Sequence, residues 1–175
     1  MKNIVILISG RGSNMQAIVN AGIPDVRIAA VLSNSATAAG LAWAAERGIP
    51  TDSLNHKDFA SRGAFDQAMM EKIDAYQPDL VVLAGFMRIL TPEFCTRYEG
   101  RLMNIHPSIL PSFTGLHTHE RALAAGCRVA GCTIHFVTPE LDRGPIISQG
   151  VVPIFDNDTA DDIAARVLKV EHQLF

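Results

Sequence analysis

The sequence predicts an α/β fold: a mostly parallel, twisted sheet with helices on both faces and an antiparallel edge near the C-terminus. Three observations predict it. Residues 4–8 (Ile-Val-Ile-Leu-Ile) and 79–84 (Asp-Leu-Val-Val-Leu-Ala) are nearly continuous apolar runs, as expected of strands buried on both faces of a parallel sheet. Strand-like and helix-like segments alternate along most of the chain, the order that βαβ units require. The last two strand segments, 130–137 and 146–154, have no helix between them, so they can pair antiparallel at one edge.

The elements follow in order. After the first strand, Ser13 is expected to open a helix, with Gln16 at the spacing of a capping box. Residues 27–32 form a second strand. Residues 37–47 are helical, and Gly48 stands where a helix ends. Phe65, Met69, Ile73 and Tyr76 share one face of a third helix. After strand 79–84, Thr91-Pro92 reads as N-cap and first helical residue, and Gly100 closes that helix. Residues 102–106 are a short strand, and 118–125 a helix ended by Gly126. Along 130–137, Ala130, Cys132, Ile134 and Phe136 alternate with Gly131, Thr133, His135 and Val137, giving a strand with two different faces. Thr159, three residues before Asp162, caps a final helix.

The chain has 175 residues, 48% hydrophobic and 19% charged, which suits one folded domain over 1–175 and excludes a disordered chain. A net charge of -3 offers no basic face for nucleic acid or an anionic membrane. The longest apolar run, 80–87, is far shorter than a membrane span. The N-terminal apolar stretch leads into a glycine turn rather than a signal cleavage site. Cys95, Cys127 and Cys132 are odd in number and lack C-x-x-C spacing, so neither a disulfide framework nor a zinc ribbon is expected, and a reducing cytoplasm is.

Three segments could carry chemistry. Gly10-Arg11-Gly12-Ser13-Asn14 lies between a strand and a helix, where free backbone N–H groups and the positive helix end can cradle an anion. Met15 stands where a dinucleotide fingerprint needs its third glycine, and no acid follows the second strand, so the segment suits one phosphomonoester rather than a dinucleotide; a plain tight turn remains the alternative. In Asn104-Ile105-His106-Pro107, Asn104 and His106 project to one face at the carboxyl end of a strand. An amide donor and an imidazole there suit a carbonyl whose oxygen gains negative charge, against the alternative of a structural histidine. Asp142 could orient and charge a histidine, or simply turn the chain before Gly144. His117 and His119 lack a third metal ligand at a convincing spacing, so no metal is expected. His56 and His172 are expected at the surface, and His135 packed in its strand.

Taken together, Ser9-Gly-Arg-Gly-Ser-Asn14, Gly85-Phe-Met-Arg-Ile-Leu90, Asn104-Ile-His-Pro-Ser-Ile-Leu-Pro-Ser-Phe113, Gly115-Leu-His-Thr-His119 and His135-Phe-Val-Thr-Pro-Glu-Leu-Asp-Arg-Gly-Pro145 resemble the folate-dependent formyltransferases. The likeness is strongest to the branch that formylates glycinamide ribonucleotide in purine synthesis, and it covers nearly the whole chain. It implies the Rossmann-like formyltransferase fold, with an N-terminal part that binds the ribonucleotide and a C-terminal part that binds folate and carries catalysis. It implies 10-formyltetrahydrofolate as formyl donor, small-molecule substrates, and a monomer or homodimer. It assigns the ribonucleotide to Gly12, Ser13, Asn14 and Glu171. It assigns the folate to Arg62, Met87, Arg88, Ile89, Leu90, Asn104, Thr138, Pro139, Glu140, Leu141 and Asp142. Catalysis falls to Asn104, His106 and Asp142, with the Asp142 carboxylate favouring a charged His106. The family usually has Lys where Thr114 stands and often an acid where Pro139 stands, and its chains run on past position 175. The related deformylase, which hydrolyses the same donor, is the competing activity; a silent folate- or nucleotide-binding module is another.

Overall fold

The computed structural model describes residues 1–174. Its strands are β1 (Lys2–Ile8), β2 (Val26–Ser33), β3 (Thr51–Ser53), β4 (Leu80–Leu83), β5 (Leu102–His106), β6 (Val129–Phe136) and β7 (Ile146–Pro153). Its α-helices are α1 (Ser13–Asn20), α2 (Ala39–Glu46), α3 (Arg62–Asp74), α4 (Pro92–Arg97), α5 (Thr118–Ala124) and α6 (Ala160–Leu174). The strands form one mixed sheet in the order β3-β2-β1-β4-β5-β6-β7. The expected architecture is the observed one: β1 pairs parallel with β2 and β4, β2 with β3, and β6 with β7 antiparallel. The short β3, and a 3₁₀ turn at His56–Asp58, carry too little apolar pattern to be read from sequence.

The described residues cluster into two compact units, the first Met1–Met103 and the second beginning at Asn104. In the first, Val5, Ile6, Leu7 and Ile8 of β1 are wholly buried, as are Val31 and Leu32 beside them and Val81 of β4. Phe65, Met69 and Ile73 bury one face of α3, whereas Tyr76 lies beyond the helix end. In the second, α6 packs on β6 and β7 through Ile163 and Val167.

Helix ends show which local signals operate. Thr91 caps α4 by accepting from the Phe94 N–H, and Thr159 and Asp162 close a reciprocal box at the start of α6. Ser61 caps α3 in the same way. The capping box expected at Ser13 does not form. Gly12 holds the N-cap position at φ 69°, Ser13 is already helical, and Gln16 turns its side chain back to the Arg11 carbonyl. Similarly, α2 starts at Ala39 rather than at residue 37, because Thr37 spends its hydroxyl on Ser35. The Leu110-Pro111 peptide bond is cis.

Candidate functional site

The first unit places a glycine turn directly at the head of a helix. Gly12 adopts a left-handed conformation, and a Cβ there would also crowd Met15 and Ile8. No side chain caps α1. The leading N–H groups of a helix have no partner inside it, so those of α1 face outward for an acceptor. The Asn14 side chain is only 8% exposed, and its Oδ1 has no hydrogen-bond partner. A buried carbonyl oxygen without a donor costs about 1–3 kcal/mol, which a donor brought to it would offset. Gly40 braces the loop: its N–H donates to the Gly10 carbonyl at 3.1 Å, and a Cβ on it would lie 2.9 Å from the Arg11 oxygen.

Residues 85–90 lie after β4 in the same unit. Ser9, at the end of β1, accepts the Met87 N–H and donates to Asn34, both at 2.7 Å, which ties this loop to the first strand. Met87 and Ile89 are 72% and 60% exposed, an apolar surface that solvent does not favour. The Arg88 guanidinium stacks over Phe65, and its Nε is buried without a partner. Leu90 is half-buried, and Arg62 lies exposed in the first turn of α3.

The second unit gathers the titratable groups. His106 ends β5 and is buried. Its Nε2 lies 2.8 Å from the Phe113 carbonyl oxygen. A carbonyl only accepts, so Nε2 carries a proton, and the proton-exchanging nitrogen is Nδ1. Nδ1 faces Asp142 Oδ1 at 3.5 Å, with both side chains more than nine-tenths buried. The other carboxylate oxygen of Asp142 accepts the Gly115 N–H at 2.8 Å. Asp142 holds φ at 55° and Phe113 at 54°, left-handed values rare away from glycine, so the surrounding chain imposes this arrangement.

Asn104 is joined to the same group by His135. His135 Nδ1 donates to the Phe136 carbonyl at 3.1 Å, which leaves Nε2 bare to accept from Asn104 Nδ2 at 3.5 Å. Burial holds the His135 imidazole below its ordinary pKa, with backbone and Asp142 contacts opposing and His106 reinforcing that shift. A neutral His135 fixes which end of the Asn104 amide is the donor, and the second Nδ2 hydrogen stays available. The loop after His106 is tied down by Thr133, whose wholly buried hydroxyl donates to the Ser108 carbonyl and accepts from the Leu110 and Gln149 N–H groups. Gln149 also donates to the Leu110 carbonyl, and Thr118 to that of Pro107.

The remaining expected residues are placed as follows. Thr138 donates to the Glu140 carbonyl, while Pro139, Glu140 and Leu141 are exposed. Gly144 admits no Cβ, because the Phe136 oxygen occupies that space, and this sharpens the turn carrying Asp142. Glu171 is buried on α6, close enough to Cys132 to help burial push that thiol up to about 11. His56 is exposed, but His172 is half-buried with its Nε2 shielded and unpartnered, contrary to the surface position expected. Sequence reasoning missed Ser9, Gly40, Phe113, Thr133, His135 and Gln149 as builders of these sites. A signal existed for one of them: Thr133 is a polar residue in the buried stretch of β6, and a buried hydroxyl must be satisfied, here in part by its cross-strand partner Gln149.

Among the described residues, no group of three or more His, Cys, Asp or Glu side chains could hold a metal ion, and no helix is long and apolar enough to cross a membrane. The formyl transferase family model matches residues 2–175. The chain is 52% identical over 176 residues to phosphoribosylglycinamide formyltransferase of Escherichia coli K12, covering 99% of this chain and 83% of that protein. It is 45% identical to the trifunctional purine biosynthetic protein adenosine-3 of Bos taurus, covering 98% of this chain but 17% of that longer protein. The structure of phosphoribosylglycinamide formyltransferase from Coxiella burnetii superposes with a TM-score of 0.94 at 47% identity, over 99% of this chain and 83% of that one.

Proposed function

The chain belongs to the formyl transferase family, and on that premise we propose that it transfers the formyl group of 10-formyltetrahydrofolate to the amine of glycinamide ribonucleotide. The observation that carries this choice of acceptor is the uncapped head of α1, whose leading N–H groups can receive a phosphate. A hydrolase whose acceptor is water has no use for a phosphate cradle. The N–H groups of Gly12, Ser13 and Asn14 hold the phosphate in this reading, and Glu171 contacts the same substrate.

The folate is held by Arg62, Met87, Arg88, Ile89 and Leu90 and by Asn104, Thr138, Pro139, Glu140, Leu141 and Asp142. Exposed Met87 and Ile89 offer apolar cover to a flat ring, and loop backbone groups match its polar edge.

The chemistry follows from the second unit. The amine nitrogen attacks the formyl carbon, a C–N bond forms, and the carbonyl electron pair moves onto oxygen. Asn104 Nδ2 and the protonated Nδ1 of His106 donate to that oxyanion, and Asp142 balances the imidazolium charge. The bond to the folate nitrogen then breaks. The attacking nitrogen releases a proton and the folate nitrogen takes one up. The Phe113 carbonyl keeps His106 in the orientation that leaves Nδ1 for this work.

The test is consumption of 10-formyltetrahydrofolate with and without glycinamide ribonucleotide. Consumption that requires the ribonucleotide, with one formyl group recovered on it per donor consumed, is expected. Equal consumption without it would establish hydrolysis instead.

A further inference from the structure

A cavity of about 360 Å³ lies under the loop that follows His106. That size is within the roughly 300–1,000 Å³ of small-molecule sites. None of the residues assigned above to ribonucleotide, folate or catalysis lines it. Its walls are largely apolar, with Pro107, Ile109, Phe113, Ala122, Val129 and Ala130 among them. The hydroxyls that reach it ask for nothing: Ser108 donates to the Ser112 carbonyl and Thr118 to that of Pro107. Arg128 at the border is paired with Asp156. The other polar side chains on its wall are Ser112, Cys127 and His119, and burial, with His106 adding to it, holds the His119 imidazole below its ordinary pKa. A largely apolar pocket with few polar groups disfavours ions and fits a compact ring with one polar atom. Phe113 and Pro107 give it flat faces.

We infer that this cavity binds a small uncharged aromatic molecule carrying one polar group, and that occupancy alters catalysis through the loop it fills. The coupling is short. Pro107 directly follows His106, and the Phe113 carbonyl holds His106 Nε2 at 2.8 Å. A molecule pressing on Pro107 and Phe113 shifts the imidazole or stiffens it, and either changes a rate that depends on sub-ångström placement.

Indole is the probe and benzoate its charged counterpart, both titrated into the intact protein by calorimetry. Indole is expected to bind with a Kd below about 1 mM, and benzoate at least tenfold more weakly. Ala122→Leu fills the cavity from α5 and should weaken indole at least tenfold while the protein still unfolds cooperatively. If that variant does not fold, Cys127→Leu fills it from another point of the lining. Indole should also slow alkylation of half-buried Cys127 by iodoacetamide, without competition from buried Cys95 and Cys132. Saturating indole should change kcat at least twofold in the wild type and not in the filled variant. Equal indole affinity in wild-type and filled proteins, or equal affinity for indole and benzoate, would overturn the site. Binding without any rate effect would overturn the coupling. The calorimetric arm stands without the formyl-transfer reading, whereas the rate arm rests on it; a protein that binds indole but transfers no formyl group would refute that reading alone.

Discussion

Replacing Asp142 with Asn isolates the charge that faces His106. The substitution conserves shape, and the amide oxygen can still accept the Gly115 N–H, so the turn should persist. What disappears is a negative charge 3.5 Å from His106 Nδ1, in a place where both side chains are more than nine-tenths buried. At that distance and an effective dielectric of about 20, the attraction between carboxylate and imidazolium is about 5 kcal/mol. Desolvation of both groups cancels part of it. If half survives where the oxyanion forms, kcat falls about 10²-fold, the lower end of what losing one oxyanion donor costs. His106→Ala should lower kcat by about 10²–10³. The ribonucleotide KM should stay nearly constant in both, because the proposed phosphate contacts lie at Gly12, Ser13 and Asn14 rather than at either residue. The two residues act as one unit, so the double variant should be little slower than the slower single one. Steady-state rates at saturating donor, with the ribonucleotide varied, measure all four proteins. Multiplying effects, or an Asp142→Asn protein within about threefold of wild type, would show that the carboxylate does not act through His106.

Other expectations follow from the same geometry. Gly40→Ala drives a methyl group against the Gly10 and Arg11 carbonyls, so it should raise the ribonucleotide KM about tenfold or more with a smaller change in kcat, as read by initial rates. Thr133→Val strands the Leu110 N–H and the Ser108 carbonyl, and should cost about 2–5 kcal/mol, lowering Tm by about 5–15 °C in calorimetry. The His119 and His135 imidazoles are held below their ordinary 6.5 by burial, so the unfolded chain binds protons at these positions before the fold does. Their contribution is therefore full above about pH 6.5 and shrinks as pH falls through that value, and urea midpoints should drop between about pH 7.5 and about pH 5.5, less so in His135→Asn.

These effects divide along the line between what the sequence states locally and what it leaves to distant contacts. The parallel sheet was legible because runs such as Ile-Val-Ile-Leu-Ile in β1 cannot be stable with one face in water. Asn104 and His106 were legible as a pair because a strand's period of two puts them on one face. Asp142 was not legible from its surroundings, since an aspartate near a glycine reads as a turn; only its place in a longer pattern singled it out. Its carboxylate meets His106 because Phe136 and Gly144 approach within a Cβ's space and redirect the chain between β6 and β7. Ser13 failed as a cap for a related reason. Gly12 takes the cap position in a conformation its lack of a Cβ permits, and so leaves the helix head open where a serine would have closed it.

The same logic explains why the supporting residues escaped notice. His106 is positioned by a main-chain carbonyl, and a carbonyl has no identity in a sequence: any residue at 113 could supply it, provided the chain enters the left-handed region there. That conformation is held by a loop whose polar groups are met by Thr133 and Gln149, far along the chain. Every such bond is non-local, and each is specified by register: Thr133 stands opposite Gln149 on β7, and a slip of one residue would turn both away. His135 lies two residues beyond Thr133 and therefore on the same face of β6, where it reaches Asn104. The alternation of Thr133 and His135 along a buried strand was thus the visible trace of this scaffold. One face of β6 orders the loop behind His106 and orients the amide of Asn104, so a defect at Thr133 should disturb both Asn104 and His106 at once, which single contacts to either would not do.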